Sequence, residues 1–244
     1  MISFENVNKS FGRLHALKNI SFELKAGQSI ALIGPNGSGK TTLIKTLLGM
    51  NVPSSGKIRV KGYDILSDYH YRAHIGYMPQ IGNYPKNLKI SQLIEMMQDI
   101  RQKKGILQKT DEELIDLFRL REIYHKPLGT LSGGTRQKVS ATLAFLFDPE
   151  ILILDEPTAG LDPLASEILK EKILEESLKG KLIMITSHIL SDLEELATHI
   201  MYLEEGELQL FKEMSEVKAE TGEDRLARVI TYLMSKKEKL SAIS

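Results

Sequence analysis

No cysteine occurs among the 244 residues, which excludes disulfides, thiolate metal sites and cysteine nucleophiles, and fits a reducing compartment. Nor is there a surplus of either charge: 32 Lys and Arg meet 32 Asp and Glu, so overall charge does not argue for nucleic acid or an anionic membrane as the main partner. Long apolar runs are missing too. The longest apolar-leaning stretch, Val139 to Phe147, is far short of the roughly 18 residues needed to cross a bilayer. The N-terminus carries no secretory pattern. A chain of this composition that works at a membrane is expected to be held there by another chain. Its length suffices to bury a sizeable interior without covalent staples.

What is present is a phosphate loop. Gly34-Pro35-Asn36-Gly37-Ser38-Gly39-Lys40-Thr41 matches the pattern G-x-x-x-x-G-K-[ST], and Thr42 follows it. Its glycines permit backbone turns closed to other residues, so several N–H groups can converge on phosphate oxygens. Lys40 adds a cation, and Thr41 offers a hydroxyl to Mg²⁺. The flanks agree: Ser29 to Ile33 reads as a buried strand, and Thr42 to Leu48 as a helix whose N-terminus faces the anion.

Ahead of the loop, Ile2 to Val7 and Ile20 to Leu24 alternate apolar with polar residues, as half-exposed antiparallel strands do. Phe11 lies between them. It can stack on a base or pack as a core ring. Past the loop, Pro53 to Gly56 predicts a turn, Lys57 to Val60 a short strand, and Ile75 to Gln80 a strand whose end presents the Gln80 amide to a metal ion, to water or only to solvent. From Ser91 to about Leu146 the spacing is helical. Leu93, Met96, Met97 and Ile100 form one predicted stripe, Leu114, Leu117 and Phe118 another, and the basic run Arg101 to Gly105 reads as solvated loop.

Ser132 is the predicted N-cap of the next helix, and Gly133 and Gly134 leave its first N–H groups bare at a cost of roughly 1 kcal/mol each against alanine. That cost suggests a second anion site. Glu150 to Pro157 is an apolar strand ending in Asp155 and Glu156, with Asp155 placed for a Mg²⁺ shell and Glu156 to polarise a water aimed at the terminal phosphate. Asp162 and Pro163 open another helix as N-cap and first position. Lys181 to Thr186 predicts one more buried strand, leading to His188, which can reach the same phosphate or serve structure alone. A hairpin over Ile200 to Leu203 and Glu207 to Phe211 closes the core, and Leu226, Val229, Ile230 and Leu233 share a helical stripe in the tail.

These residues resemble the nucleotide-binding subunits of the ATP-binding-cassette (ABC) family over positions 1 to 211, with every motif in chain order. The resemblance implies an α/β fold: a P-loop NTPase core with a mainly parallel sheet, an N-terminal antiparallel β subdomain and an inserted α-helical subdomain at about 82–146, followed by a helical extension over 212–244. It implies that Phe11 stacks on adenine and that Gly34 to Thr42 bind ATP. Thr41, Gln80 and Asp155 would hold Mg²⁺, while Lys40, Glu156 and His188 would act in hydrolysis. Ser132, Gly133, Gly134 and Asp162 would contact ATP held by a second copy. The implied partners are another cassette chain, expected as a homodimer, and an integral-membrane permease, with the chain on the inner face of the cell membrane. Thr135 departs from the glutamine frequent after the two glycines, which counts against the importer branch. The segment His188 to Phe211 with its helical tail is similar to the cassette of the transporter that accompanies nitrous oxide reductase maturation and copper handling. A soluble cassette gating binding to ribosome or DNA is the alternative.

Overall fold

The computed structural model describes residues 1–103, 105 and 110–231. Two sheets stack. Strands β1 (Ile2–Phe11), β2 (Leu14–Leu24), β4 (Ser55–Val60) and β5 (Tyr63–Asp64) form an antiparallel sheet in the order β2-β1-β4-β5. The second sheet takes β3 (Ser29–Ile33), β6 (Ile75–Met78), β7 (Ile151–Asp155), β8 (Leu182–Thr186), β9 (His199–Glu204) and β10 (Glu207–Glu213) in the order β10-β9-β3-β8-β7-β6. All its pairs are parallel except the terminal hairpin β9-β10.

Why β3, β7 and β8 read as unbroken apolar runs follows from where their two faces go. Ile30, Leu32, Ile151, Ile153, Leu182 and Met184 face the antiparallel sheet and helix α1 (Lys40–Leu47), and their neighbours Ala31, Ile33, Leu152, Leu154, Ile183 and Ile185 face the other helices. A sheet covered on both faces has no position for a polar alternate. The strands of the antiparallel sheet keep one wet face, and they extend further than their alternating segments, as far as Phe11 and back to Leu14.

Between β6 and β7 lie α2 (Ile90–Lys103), α3 (Glu113–Leu117) and α4 (Gly133–Phe145); α5 (Pro163–Leu178) and α6 (Leu190–Leu196) flank β8, and α7 (Met214–Thr221) follows β10. The predicted stripe on α2 is turned. Its buried residues are Ile90, Leu93 and Ile94, with Met97 partly covered, whereas Met96 and Ile100 face outward. On α3 Leu114 and Phe118 are buried and Leu117 is exposed. Arg101 is not in a solvated loop: it lies in the last turn of α2, donates to the Ala73 carbonyl at 3.0 Å and lies 4.3 Å over the Phe147 ring. Lys104 of that basic run lies outside the described residues. In the tail Leu226 and Val229 are fully buried within a helical turn at 226–231 and Ile230 packs on the core, while Leu233 lies outside the described residues.

A buried ion cluster bolts the insertion to the core. Lys172 of α5 is 2% exposed and holds Asp111 at 2.7 Å, Glu113 at 2.5 Å and Glu176 at 3.1 Å. Burial pushes the Glu176 carboxyl up, but the ammonium groups of Lys179, Lys181 and Lys172 outweigh it and hold it at about 2. Charges withdrawn from water are tolerated because each is answered.

Candidate nucleotide site

Strands β3, β6, β7 and β8 run parallel and side by side with β9, so their carboxyl ends meet on one edge. Open α/β sheets bind ligands along that edge. The segments leaving these strands supply Gly34 to Thr42, Gln80, Asp155 with Glu156, and His188.

The loop after β3 is shaped by contacts that only glycine allows. A Cβ on Gly34 would lie 2.0 Å from the Leu203 carbonyl oxygen and 2.6 Å from Ser38 Oγ; one on Gly39, whose φ is 108°, would lie 2.7 Å from the Ala16 carbonyl oxygen. Gly39 caps α1 with no side chain to accept the first-turn N–H groups, so these donors point at the loop with the positive end of the helix behind them. Lys40 Nζ lies across the loop, donating to the carbonyls of Gly34 at 2.6 Å and Pro35 at 3.0 Å. Burial pulls its pKa down against the opposing pull of Glu156 and Asp155. A cation so placed gains from an incoming anion.

Asp155 ends β7 opposite Thr186 of β8, whose hydroxyl donates to Asp155 Oδ1 at 2.5 Å. Glu156 then takes a left-handed backbone, φ 55°, which turns its side chain away from that of Asp155. Its N–H bonds the Thr186 carbonyl and hydroxyl, each at 3.1 Å, and the Gln137 amide donates to its carbonyl at 3.2 Å. The carboxylate accepts from the His188 N–H at 3.1 Å and has His188 Nε2 at 3.4 Å. Both acids are 8% exposed. Burial and the Asp155 charge push the neighbouring Tyr77 hydroxyl up to about 12.

One cleft of about 680 Å³ gathers Phe11, Asn36 to Thr42, Gln80, Asp155, Glu156 and His188. Gly34 and Pro35 instead border a smaller cavity with Lys40, His188 and Ile230. Thr41, Gln80 and Asp155 offer a hydroxyl, an amide oxygen and a carboxylate, a hard-oxygen set that fits Mg²⁺ completed by phosphate and water. Among the described residues no cluster of three or more His, Cys, Asp or Glu is placed to hold a metal by itself. Ser132, Gly133, Gly134 and Asp162 do not border the cleft. Ser132 caps α4 through Thr135 N–H at 3.2 Å, Gly134 abuts the Gly160 carbonyl, and Asp162 caps α5 while pairing with Lys138 at 2.7 Å. Thr186 and Gln137 escaped the sequence reading. A threonine ending a buried strand and a glutamine inside a helix carry no pattern until β8 is paired with β7.

The family model described as ABC transporter matches residues 17–159. A Nod factor export ATP-binding protein I of Burkholderia lata is 33% identical over 207 residues, covering 84% of this chain and 68% of its own length. An uncharacterized ABC transporter ATP-binding protein of Bacillus subtilis is 32% identical over 245 residues, 98% of this chain and 78% of its own. Among solved structures, an ATP-binding subunit of an ABC transporter superposes with TM-score 0.86 at 26% identity, covering 96% of this chain and 99% of the other. A dimeric cassette in a post-hydrolysis state with ADP and Pi shares the fold at TM-score 0.75 and 23% identity, covering 88% and 99%. A phosphate loop facing an Asp-Glu strand end, inside a chain that matches on these terms, belongs to the ABC transporter family: this is an ATP-binding, ATP-hydrolysing subunit of that family.

Proposed function

We propose that the chain energises transport through a separate membrane subunit, by closing in pairs over ATP and reopening after hydrolysis. One observation carries this reading. The cleft holds a phosphate loop, oxygen donors for a metal, a buried carboxylate and a histidine, yet the second glycine-opened helix end, at Ser132 and Gly133, stands exposed outside it. Two-fold pairing would bring that end of one chain onto the γ-phosphate held by the other.

Within one chain the roles divide. The loop's N–H groups and Lys40 bind the phosphates, and Phe11 takes the base. Mg²⁺, held by Thr41, Gln80 and Asp155, would neutralise developing phosphate charge when bound. Glu156 accepts a proton from the attacking water, and His188, fastened to that carboxylate, reaches the terminal phosphate. Among the described residues no helix is long and apolar enough to cross a membrane. The membrane subunit is given a seat by a second cleft of about 670 Å³ between β6 and α2, bordered by Ile81, Tyr84, Met96 and Met97. Ile81 is 79% exposed there. An apolar cleft with flexible methionines suits a short helix from another chain. That seat would hold the chain at the cytoplasmic face of the membrane, and the relatives named for Nod factor export support outward movement.

Glu156→Gln tests the reading. It keeps the shape and the His188 N–H bond but removes the proton acceptor, so hydrolysis should fall about 10²–10⁴-fold while Mg-ATP stays bound. Light scattering on a sizing column should then show two chains. Adding Gly133→Asp, whose Cβ meets open space, should return one chain by setting a carboxylate against the phosphate. Hydrolysis at the unmodified rate would overturn the role of Glu156; an inactive but monomeric variant would overturn pairing by ATP alone. Salt-sensitive, ATP-dependent binding to ribosomes or DNA would favour a soluble gating module instead.

A further inference from the structure

Phe11 is 47% exposed at the end of β1, where it borders the nucleotide cleft. An aromatic ring has two faces, and one of these is taken: Lys9 Nζ lies 4.7 Å from the ring centroid. Lys9 and Phe11 are two apart on a strand, so they share a side of it. The ammonium is itself anchored, donating to the Val52 carbonyl at 2.7 Å. Val52 belongs to the segment that leaves the far end of α1, the helix of the phosphate loop. Two further bonds fasten that segment to the same strand end: Ser10 N–H to Ser54 Oγ at 3.0 Å, and Ser54 N–H to the Asn8 carbonyl at 2.7 Å. Opposite, the register of β1 and β2 slips between Lys9 and Ser10, which pair with Leu17 and His15 and leave Ala16 as the extra residue. Such bulges re-aim side chains beside sites.

We infer that Lys9 is a positioning residue for the nucleotide base: it clamps one face of Phe11, ties that ring to the trailing end of the phosphate-loop helix, and leaves the opposite face for a purine. The base platform stands on the antiparallel sheet and the phosphate loop on the parallel one. Their separation has to match the span of one nucleoside triphosphate, and the Lys9–Val52 bond is a direct tie between them. The cation also draws electron density toward its own face of the ring, which favours stacking of an electron-rich purine on the other. The inference rests on the base-stacking role proposed for Phe11.

The test compares ATP with inorganic tripolyphosphate, which has the phosphates and no base. Dissociation constants are measured by calorimetry for the unmodified chain and for Lys9→Met, Lys9→Arg and Phe11→Ala. Lys9→Met keeps the length of the side chain without the charge and should weaken ATP about two- to fivefold, leaving tripolyphosphate unchanged. Lys9→Arg, able to lie on the ring and donate to Val52, should restore most of the loss. ATP binding unchanged in Lys9→Met, with Phe11→Ala weakened, overturns the inference alone. Equal loss of both ligands in Lys9→Met overturns it too, since a loosened fold would do that. Phe11→Ala binding ATP at full strength brings down the base-stacking role itself.

Discussion

Along the carboxyl edge of the parallel sheet, the phosphate loop, Asp155 with Glu156, and His188 follow strands β3, β7 and β8, each buried on both faces. Along α2 and α3 the apolar side chains themselves turn outward: Met96, Ile100 and Leu117 are exposed while Leu93 and Leu114 are not. The first region is fully buried up to the points where its side chains line the nucleotide cleft. The second leaves apolar surface open to solvent. That difference suits the proposed division of labour, with hydrolysis at one place and attachment to a membrane partner at the other.

The contrast breaks most easily at the rim. Lys40→Ala should lose ATP binding at micromolar nucleotide, a fall of about 100-fold or more, because charged hydrogen bonds are worth about 1.5–3 kcal/mol each and an ammonium has more than one N–H to offer the phosphates. Calorimetry reads it directly, and unchanged affinity would move the site elsewhere. Within α2, two neighbouring positions should behave oppositely. Leu93→Ala should cost about 2–5 kcal/mol of stability by opening a cavity, whereas Met96→Ser should stay within about 0.5 kcal/mol in urea unfolding and act only on attachment to membranes carrying the partner. Equal losses at both would mean that Met96 belongs to the core.

The cluster joining the two regions answers to pH. Glu176 titrates at about 2 instead of its ordinary 4.5, so its folded pKa is depressed. A depressed carboxylate stabilises the fold above the unfolded value, and that contribution is lost as pH falls from about 4.5 toward 2. Melting temperature should drop through that window, and Glu176→Gln should lower it at neutral pH and flatten the slope. An unaltered slope would assign acid sensitivity to other carboxylates.

Much of the rim was legible in the sequence because its residues are consecutive: the phosphate loop and the Asp155-Glu156 strand end each carry their chemistry in one short stretch. Thr186, Gln137 and Lys9 were not, since each acts through a partner brought near only by strand pairing or by the loop after α1. The buried face of α2 is hidden in the sequence for another reason. Ile90, Leu93, Ile94 and Met97 fit the helical period as well as Leu93, Met96, Met97 and Ile100 do, and a helix apolar on two overlapping stripes does not announce which one the core takes. The antiparallel strands ran longer than their alternation because polar residues on a wet face cost a strand nothing.

The left-handed backbone at Glu156 has a consequence for how this position can vary. A non-glycine residue there carries about 1–2 kcal/mol of steric cost that glycine would not. Selection for a firmer fold would therefore favour glycine at 156, and that change deletes the carboxylate that accepts from the His188 N–H. On the proton-acceptor role proposed for Glu156, stability and turnover pull this residue in opposite directions, so a redesign scored on folding alone will tend to yield a better-behaved protein that binds ATP without hydrolysing it.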